Sequence, residues 1–272
     1  MSEGLIENPA DQTDQTSDPQ LRWGWRPPSK RLLARMAKLQ DHNFAVPFTL
    51  QPSADLRPGM PPIYDQLDAA TCCGNAVGAL VQYLWMKKGI NPNDASRLFL
   101  YWNARVIDHS TSVDQGTSIA ATTLGAYQHG CCREGYWSYV QPHILQPPAA
   151  QAIADAGQHR FAAPIQVIGL DSIRAHIAGG QPVAFGINIQ SSFFQGDTHK
   201  GVVPVPDPNA PGRPHAALLV GFDNASQLFI MRNSWGVQRP NRTPYGDGGY
   251  YYIPYAYLDP RFTSDFWTLT SA

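Results

Sequence analysis

Charge is scarce in this chain. Only 15% of its 272 residues are charged, and 20 basic against 21 acidic side chains leave a formal net charge of -1. Affinity for nucleic acid by phosphate neutralisation needs a basic excess, so no nucleic-acid partner is expected. Long hydrophobic runs are missing as well. No stretch approaches the roughly 20 apolar residues of a membrane span, and no membrane partner is expected. Residues 1–20 hold five acidic side chains, no basic one and no apolar core of a secretory signal. The expectation is therefore a cytoplasmic location, or export without a Sec-type signal. Metal-ligand spacing is absent too. The histidines other than His215 have no ligand partner at a standard separation, and the four cysteines fall into two adjacent pairs, Cys72-Cys73 and Cys131-Cys132. Zinc prefers a spaced pair, so neither a metal nor a cofactor is expected. Adjacent cysteines seldom bridge each other, and reduced thiols are the expected state. No internal repeat is visible.

What is present suffices for a full core: 43% hydrophobic residues in 29.9 kDa, punctuated by 24 prolines and 23 glycines. Residues 1–20 read as a disordered acidic tail. An N-terminal extension follows over residues 21–58, opening on the aromatic connector Arg22-Trp23-Gly24-Trp25-Arg26-Pro27-Pro28. Ser29 is placed to cap a short helix with Leu32, Leu33, Met36 and Leu39 on one face and Lys30, Arg31, Arg35 and Lys38 on the other. Residues 41–64 read as irregular. The rest, 59–272, divides into a helical half over about 65–160 and a strand half over about 161–272. Helical spacing predicts helices from Cys72 to Lys87, after Asn93, and from about Ser118 to His129. Residues 140–165 look like a Pro-rich joint. One helix is predicted over Ile173–Ala178, and strands at 166–168, 182–189, 215–222, 228–233, 249–253 and 266–270. Helices followed by strands imply an α+β fold with the two types segregated.

Three short stretches carry chemistry. Cys72 stands where the irregular segment meets a helix, and the helix dipole and free N–H groups there stabilise a thiolate. Gln66 lies six residues earlier, near enough for its amide to join the Cys72 N–H around an oxyanion. His215 opens an otherwise apolar strand. Asn233, at the close of the next strand, can fix the imidazole tautomer, with Trp235 shielding that hydrogen bond from water. Sulfur, imidazole and amide are the parts of acyl transfer by a thiolate–imidazolium pair. Cys73, about 100° further round the helix, reads as a core residue.

These residues resemble the papain family of cysteine peptidases, in its bacterial branch. The similarity extends over most of 60–272 and includes Ser96–Arg105, Asp114–Ile119 and Asp247-Gly248-Gly249-Tyr250. The resemblance implies a two-lobed fold, a helical lobe and an antiparallel β-barrel-like lobe flanking a cleft. It also implies a monomeric endopeptidase of peptide or protein substrates, with Cys72 as nucleophile, His215 as base, Asn233 as its orienter and Gln66 in the oxyanion hole. Gly116 and Trp235 are the expected substrate-binding positions. The chain departs from the family in having Ala70-Thr71 before the nucleophile, Cys73 after it, Ala69 in place of a bridging cysteine, and a long segment from Val237 to Tyr245. The extension is expected to pack on the cleft and limit access. The alternatives are a thiol-dependent acyltransferase or deamidase, and a non-catalytic binding module with a basic N-terminal arm.

Overall fold

The structure is a computed structural model that describes residues 22–39, 51–90 and 95–271. The expected acidic tail, and residues 21 and 40–50 of the expected extension, lie outside the described residues.

The helical half is built on α2 (Cys72–Lys87), α3 (Arg97–Ile107) and α4 (Ile119–His129). Ser96 and Ser118 start α3 and α4 by accepting hydrogen bonds from Phe99 N and Ala121 N. Gly130, at φ +77°, ends α4 in a conformation that costs glycine least. Ahead of them, α1 (Lys30–Ala37) is capped by Ser29, buries Leu32 and Met36, and turns its four cations to solvent. The joint at 140–165 holds one unexpected helix, α5 (Ala150–Ala156), directly after Pro147-Pro148. Prolines belong at a helix entrance, where no N–H is needed, and not only in a linker.

The strand half is one sheet in the order β2-β7-β3-β4-β5-β6, every pairing antiparallel, with β1 added on β4. The strands are β1 (Ser53–Asp55), β2 (Ile165–Gln166), β3 (Val183–Gln190), β4 (Gly212–Asp223), β5 (Leu228–Arg232), β6 (Tyr250–Pro254) and β7 (Thr263–Thr268). Helix α6 (Leu170–Ala178) covers one face. The sheet is open: among the described residues β2 and β6 do not pair, so the lobe is not a closed barrel. β1 was expected to be irregular chain. β4 starts three residues before His215 and takes in Pro214, which pairs with Asn188 of β3. Pairing of β4 with β5 begins only at Leu218, so the missing Pro214 N–H breaks no ladder on that side.

Alternate residues of β4 supply two cores. Ala216, Leu218 and Val220 join α2, α4, Trp25, Leu32 and Met36 in the core between the halves. Ala217 and Leu219 join Phe185, Ile187, Phe229, Met231 and α6 in the second core. The helix carrying Cys72 is thus packed against the strand carrying His215.

Candidate active site

Cys72 is the first residue of α2 and is fully buried. The side chain of Thr71, which precedes it, caps none of the first-turn N–H groups and instead bonds Tyr139 and Asn75. Those donors are left to the space around the thiol. Gln66 is buried beside them, held from two sides. Its Oε1 accepts from Ser234 Oγ at 2.8 Å, and its backbone N–H donates to Ser234 O at 2.8 Å. Its Nε2 then donates to Ala69 O and to Arg22 O, both at 3.0 Å.

On the strand side, His215 Nε2 meets Asn233 Oδ1 at 2.8 Å, and Ser234 N–H donates to the same oxygen at 2.8 Å. An amide oxygen only accepts, so this bond assigns the proton to Nε2. Nδ1 is buried without a hydrogen-bond partner. Trp235 lies over the imidazole, ring centroids 4.7 Å apart, and is itself stacked on Phe194. Burial alone raises the Cys72 thiol. The Cys73 thiol and the His215 imidazole more than offset that, holding Cys72 well below the ordinary thiol range. Cys73 responds in the opposite direction, raised by burial and by the sulfur beside it, and its own Sγ–H donates to Thr117 O at 3.1 Å.

The structure therefore brings Gln66, Cys72, His215, Asn233 and Trp235 into one site. Gly116 stands at φ +83°, bonded through its N–H to Tyr101 Oη. Two further participants were not singled out from the sequence. Ser234 ties the glutamine to the asparagine. Asp114 accepts from both Ala70 N and Tyr101 Oη and so fixes the turn before Cys72 against Gly116. All four cysteines are free thiols.

The site is covered by the chain's own N-terminal segment. Arg22 O sits on the Gln66 amide. Trp23 meets His215 and Trp235 edge-on at 5.8 and 5.7 Å. Gly24 threads between Ala70 and Gly116: a Cβ on Gly24 would come within 2.0 Å of Ala70 O, and one on Gly116 within 1.8 Å of Gly24 O. Thr117 N–H donates to Gly24 O at 2.9 Å and Thr117 O accepts from Arg26 N at 2.8 Å, a parallel bridge. Beside the covered site, Asp65, Leu67, Trp235, Arg239 and Arg242 line an open cavity of about 730 Å³.

A family model described as papain family cysteine protease matches residues 106–257, more than half of the chain. The chain belongs to that family. The match contains His215 and Asn233 and begins beyond Gln66 and Cys72. Xylellain, a cysteine protease from Xylella fastidiosa, is 27% identical over 92% of this chain and 91% of its own, with a TM-score of 0.73. An uncharacterized peptidase C1-like protein of Acanthamoeba polyphaga mimivirus is 28% identical over 223 residues, 75% of this chain and 68% of the relative. Digestive procathepsin L 3 of Tenebrio molitor shares the fold at 14% identity, with a TM-score of 0.63 over 89% of this chain and 79% of its own. The protein is a papain-like cysteine peptidase, a hydrolase of two halves with helices on one side and an antiparallel sheet on the other.

Proposed function

We propose that this peptidase is an endopeptidase whose nucleophile is Cys72, and that Arg22–Arg26 limits access to it. The observation that carries the proposal is the His215–Asn233 hydrogen bond of 2.8 Å together with a Cys72 thiol lowered by the same imidazole. A thiolate facing an imidazolium attacks the scissile carbonyl. Gln66 Nε2 and the Cys72 N–H then receive the oxygen as it gains charge. The imidazolium gives the proton it carries on Nδ1 to the leaving amine, forming a thioester. Water, deprotonated at Nδ1, releases the acyl group. Throughout, Asn233 Oδ1 keeps Nε2–H in place, and Trp235 excludes water from that bond.

The Arg22 carbonyl on Gln66 Nε2 stands where a substrate carbonyl would stand, and Gly24 covers Gly116, the expected backbone wall. Trp23 packs on His215 and Trp235, and the chain then runs past Ala70 and Gly116 to Thr117, so the segment spans the site on both sides of Cys72.

Turnover of a fluorogenic peptide tests the assignment. Cys72→Ala and His215→Ala are each expected to remove it while the protein stays folded. Persistent turnover in Cys72→Ala would overturn the nucleophile.

A further inference from the structure

The loop from Asp65 to Thr71 joins the two groups assigned to the oxyanion, the Gln66 amide and the Cys72 N–H. Its shape sets where the amide points, because Gln66 Nε2 gives one hydrogen to Ala69 O and has the other for the site. The loop is strained. Leu67, largely exposed, stands at φ +53°, a left-handed conformation costly for a residue with a side chain. Such a conformation persists where the surroundings over-determine it. Here the surroundings are a line of hydrogen bonds with an assignable direction. Gln66 O only accepts, so the Tyr139 hydroxyl, 2.8 Å away, donates to it. Tyr139 Oη is then the acceptor for the Thr71 hydroxyl at 2.5 Å. Thr71 Oγ1 in turn accepts from Asn75 Nδ2 at 3.0 Å, and Asn75 Oδ1 accepts from Arg97 Nη1 at 3.1 Å. The same Arg97 nitrogen donates to Asp65 O at 3.2 Å, which brings the line back to the residue beside Gln66. The guanidinium lies over the Tyr139 ring, 3.9 Å from its centroid, and Glu134 receives the Tyr139 N–H. Burial pushes the Tyr139 hydroxyl up to about 12, so it keeps its proton at neutral pH.

We propose that Tyr139 is a positioning residue of the oxyanion hole: its hydroxyl, backed by Arg97, Asn75 and Thr71, holds the Gln66–Thr71 loop so that Gln66 Nε2 and the Cys72 N–H converge on one oxygen. The proposal rests on the reading that these two groups receive the oxyanion. Thr71 is bonded directly to Cys72, and Gln66 carries the other donor. A hydroxyl that ties Gln66 O to Thr71 Oγ1 therefore fixes the gap between them. Donors aimed in advance stabilise the developing charge, and a small displacement forfeits much of that. Without the hydroxyl, Gln66 O loses its donor, Thr71 O–H loses its acceptor, and Leu67 is free to relax. Thr71 is one of the chain's departures from the family, and its γ-methyl limits χ1, which keeps Oγ1 aimed at Tyr139. Tyr139 touches no reacting atom in this arrangement. It acts through Gln66.

The test compares wild type, Tyr139→Phe, Gln66→Ala and the double variant in the full-length chain, each checked for folding by its melting curve. Two readouts are paired: kcat and KM for a fluorogenic peptide, and the rate of Cys72 alkylation by iodoacetamide, which builds no oxyanion. Tyr139→Phe is expected to lower kcat about tenfold, the effect of one lost hydrogen bond, with KM and the alkylation rate changed less than about twofold. Because the hydroxyl acts through Gln66, its removal is expected to cost nothing further in Gln66→Ala. An unchanged kcat in folded Tyr139→Phe overturns the proposal. So does an equal fall in alkylation, which marks a general loosening of the site, or an undiminished fall in kcat when Gln66 is already alanine. Thr71→Val, which removes the neighbouring hydroxyl at nearly constant shape, decides by the same readouts if Tyr139→Phe does not fold. A Gln66→Ala protein as active as wild type overturns the oxyanion reading and the proposal with it. A loss in Gln66→Ala with none in Tyr139→Phe overturns the proposal alone.

Discussion

The chain contains the same dipeptide twice, and the two copies have opposite chemistry. Cys72-Cys73 opens α2 against an imidazole, whereas the second pair follows α4, with Cys131 in the core between the halves and Cys132 in a core made by α3, α5 and Trp137. Burial pushes Cys131 well above the ordinary thiol range and Cys132 up to about 12, with Glu134 and Asp155 adding to it. Burial acts on Cys72 in the same direction and is outweighed there. Even within the first pair the split recurs, because one helical step turns Cys73 away from His215 towards Thr117 O. Reactivity in this fold is set by the neighbouring imidazole and thiol and by the helix start, not by residue type or by exposure.

Breaking the contrast outright gives the largest effect. Cys72→Ala is expected to lower kcat/KM for a peptide by about 10⁴-fold or more, while Cys131→Ala leaves kcat/KM within about threefold and lowers the melting temperature instead. Melting curves and steady-state kinetics on the pair of variants check both halves of that statement. Next comes Gln66→Ala, expected to cost about 10²-fold in kcat with the Cys72 thiolate retained, since the amide serves the oxyanion and not the sulfur. A parallel fall in the rate of Cys72 alkylation would count against that division. Gly24→Ala should move in the other direction. Its Cβ meets Ala70 O, so the covering segment loses its seat and turnover of a small peptide is expected to rise about tenfold. Smallest is Cys73→Ser, which keeps a donor towards Thr117 O and Cys72. It is expected to change kcat less than tenfold, and a full loss would make Cys73 a partner in the chemistry.

Much of the site was legible because its signals are local. A helix start at Cys72, an apolar strand opened by His215 and an asparagine ending the next strand are each set by a few neighbouring residues, and β4 and β5 pair as consecutive strands usually do. Four expected site residues and the Trp235 shield meet in one place for that reason. What was not legible depends on distant partners. β1 has no strand pattern of its own and exists because Asp55 and Ser53 find Gly221 and Asp223 on β4. α5 was hidden by prolines that, in fact, introduce it. Whether a sheet closes is decided by its edge strands, which no periodicity reports. Asp265 reads from sequence as an ordinary polar residue in a strand. Only the fold shows it buried, in a left-handed conformation, with donors from Trp25, Trp267 and α4 around it. The expected packing of the extension was half legible: the aromatics and the Leu32–Met36 stripe announced that it would bury something, and the contact of Arg22 with Gln66 supplied the place.

The pH dependence of cysteine alkylation tests most directly the claim that the imidazole makes Cys72 a thiolate. The thiolate is the reacting form, so a lowered Cys72 keeps its rate as pH falls, whereas an ordinary thiol loses about tenfold per unit below its pKa. Iodoacetamide labelling of wild type and Gly24→Ala, read site by site by mass spectrometry, should show Cys72 modified at a nearly constant rate from about pH 8 to about pH 6. Cys73, Cys131 and Cys132 should stay unmodified, and His215→Ala should restore the ordinary steep fall at Cys72. A Cys72 rate that drops tenfold per unit in the intact protein, or one indifferent to the loss of His215, would contradict the account.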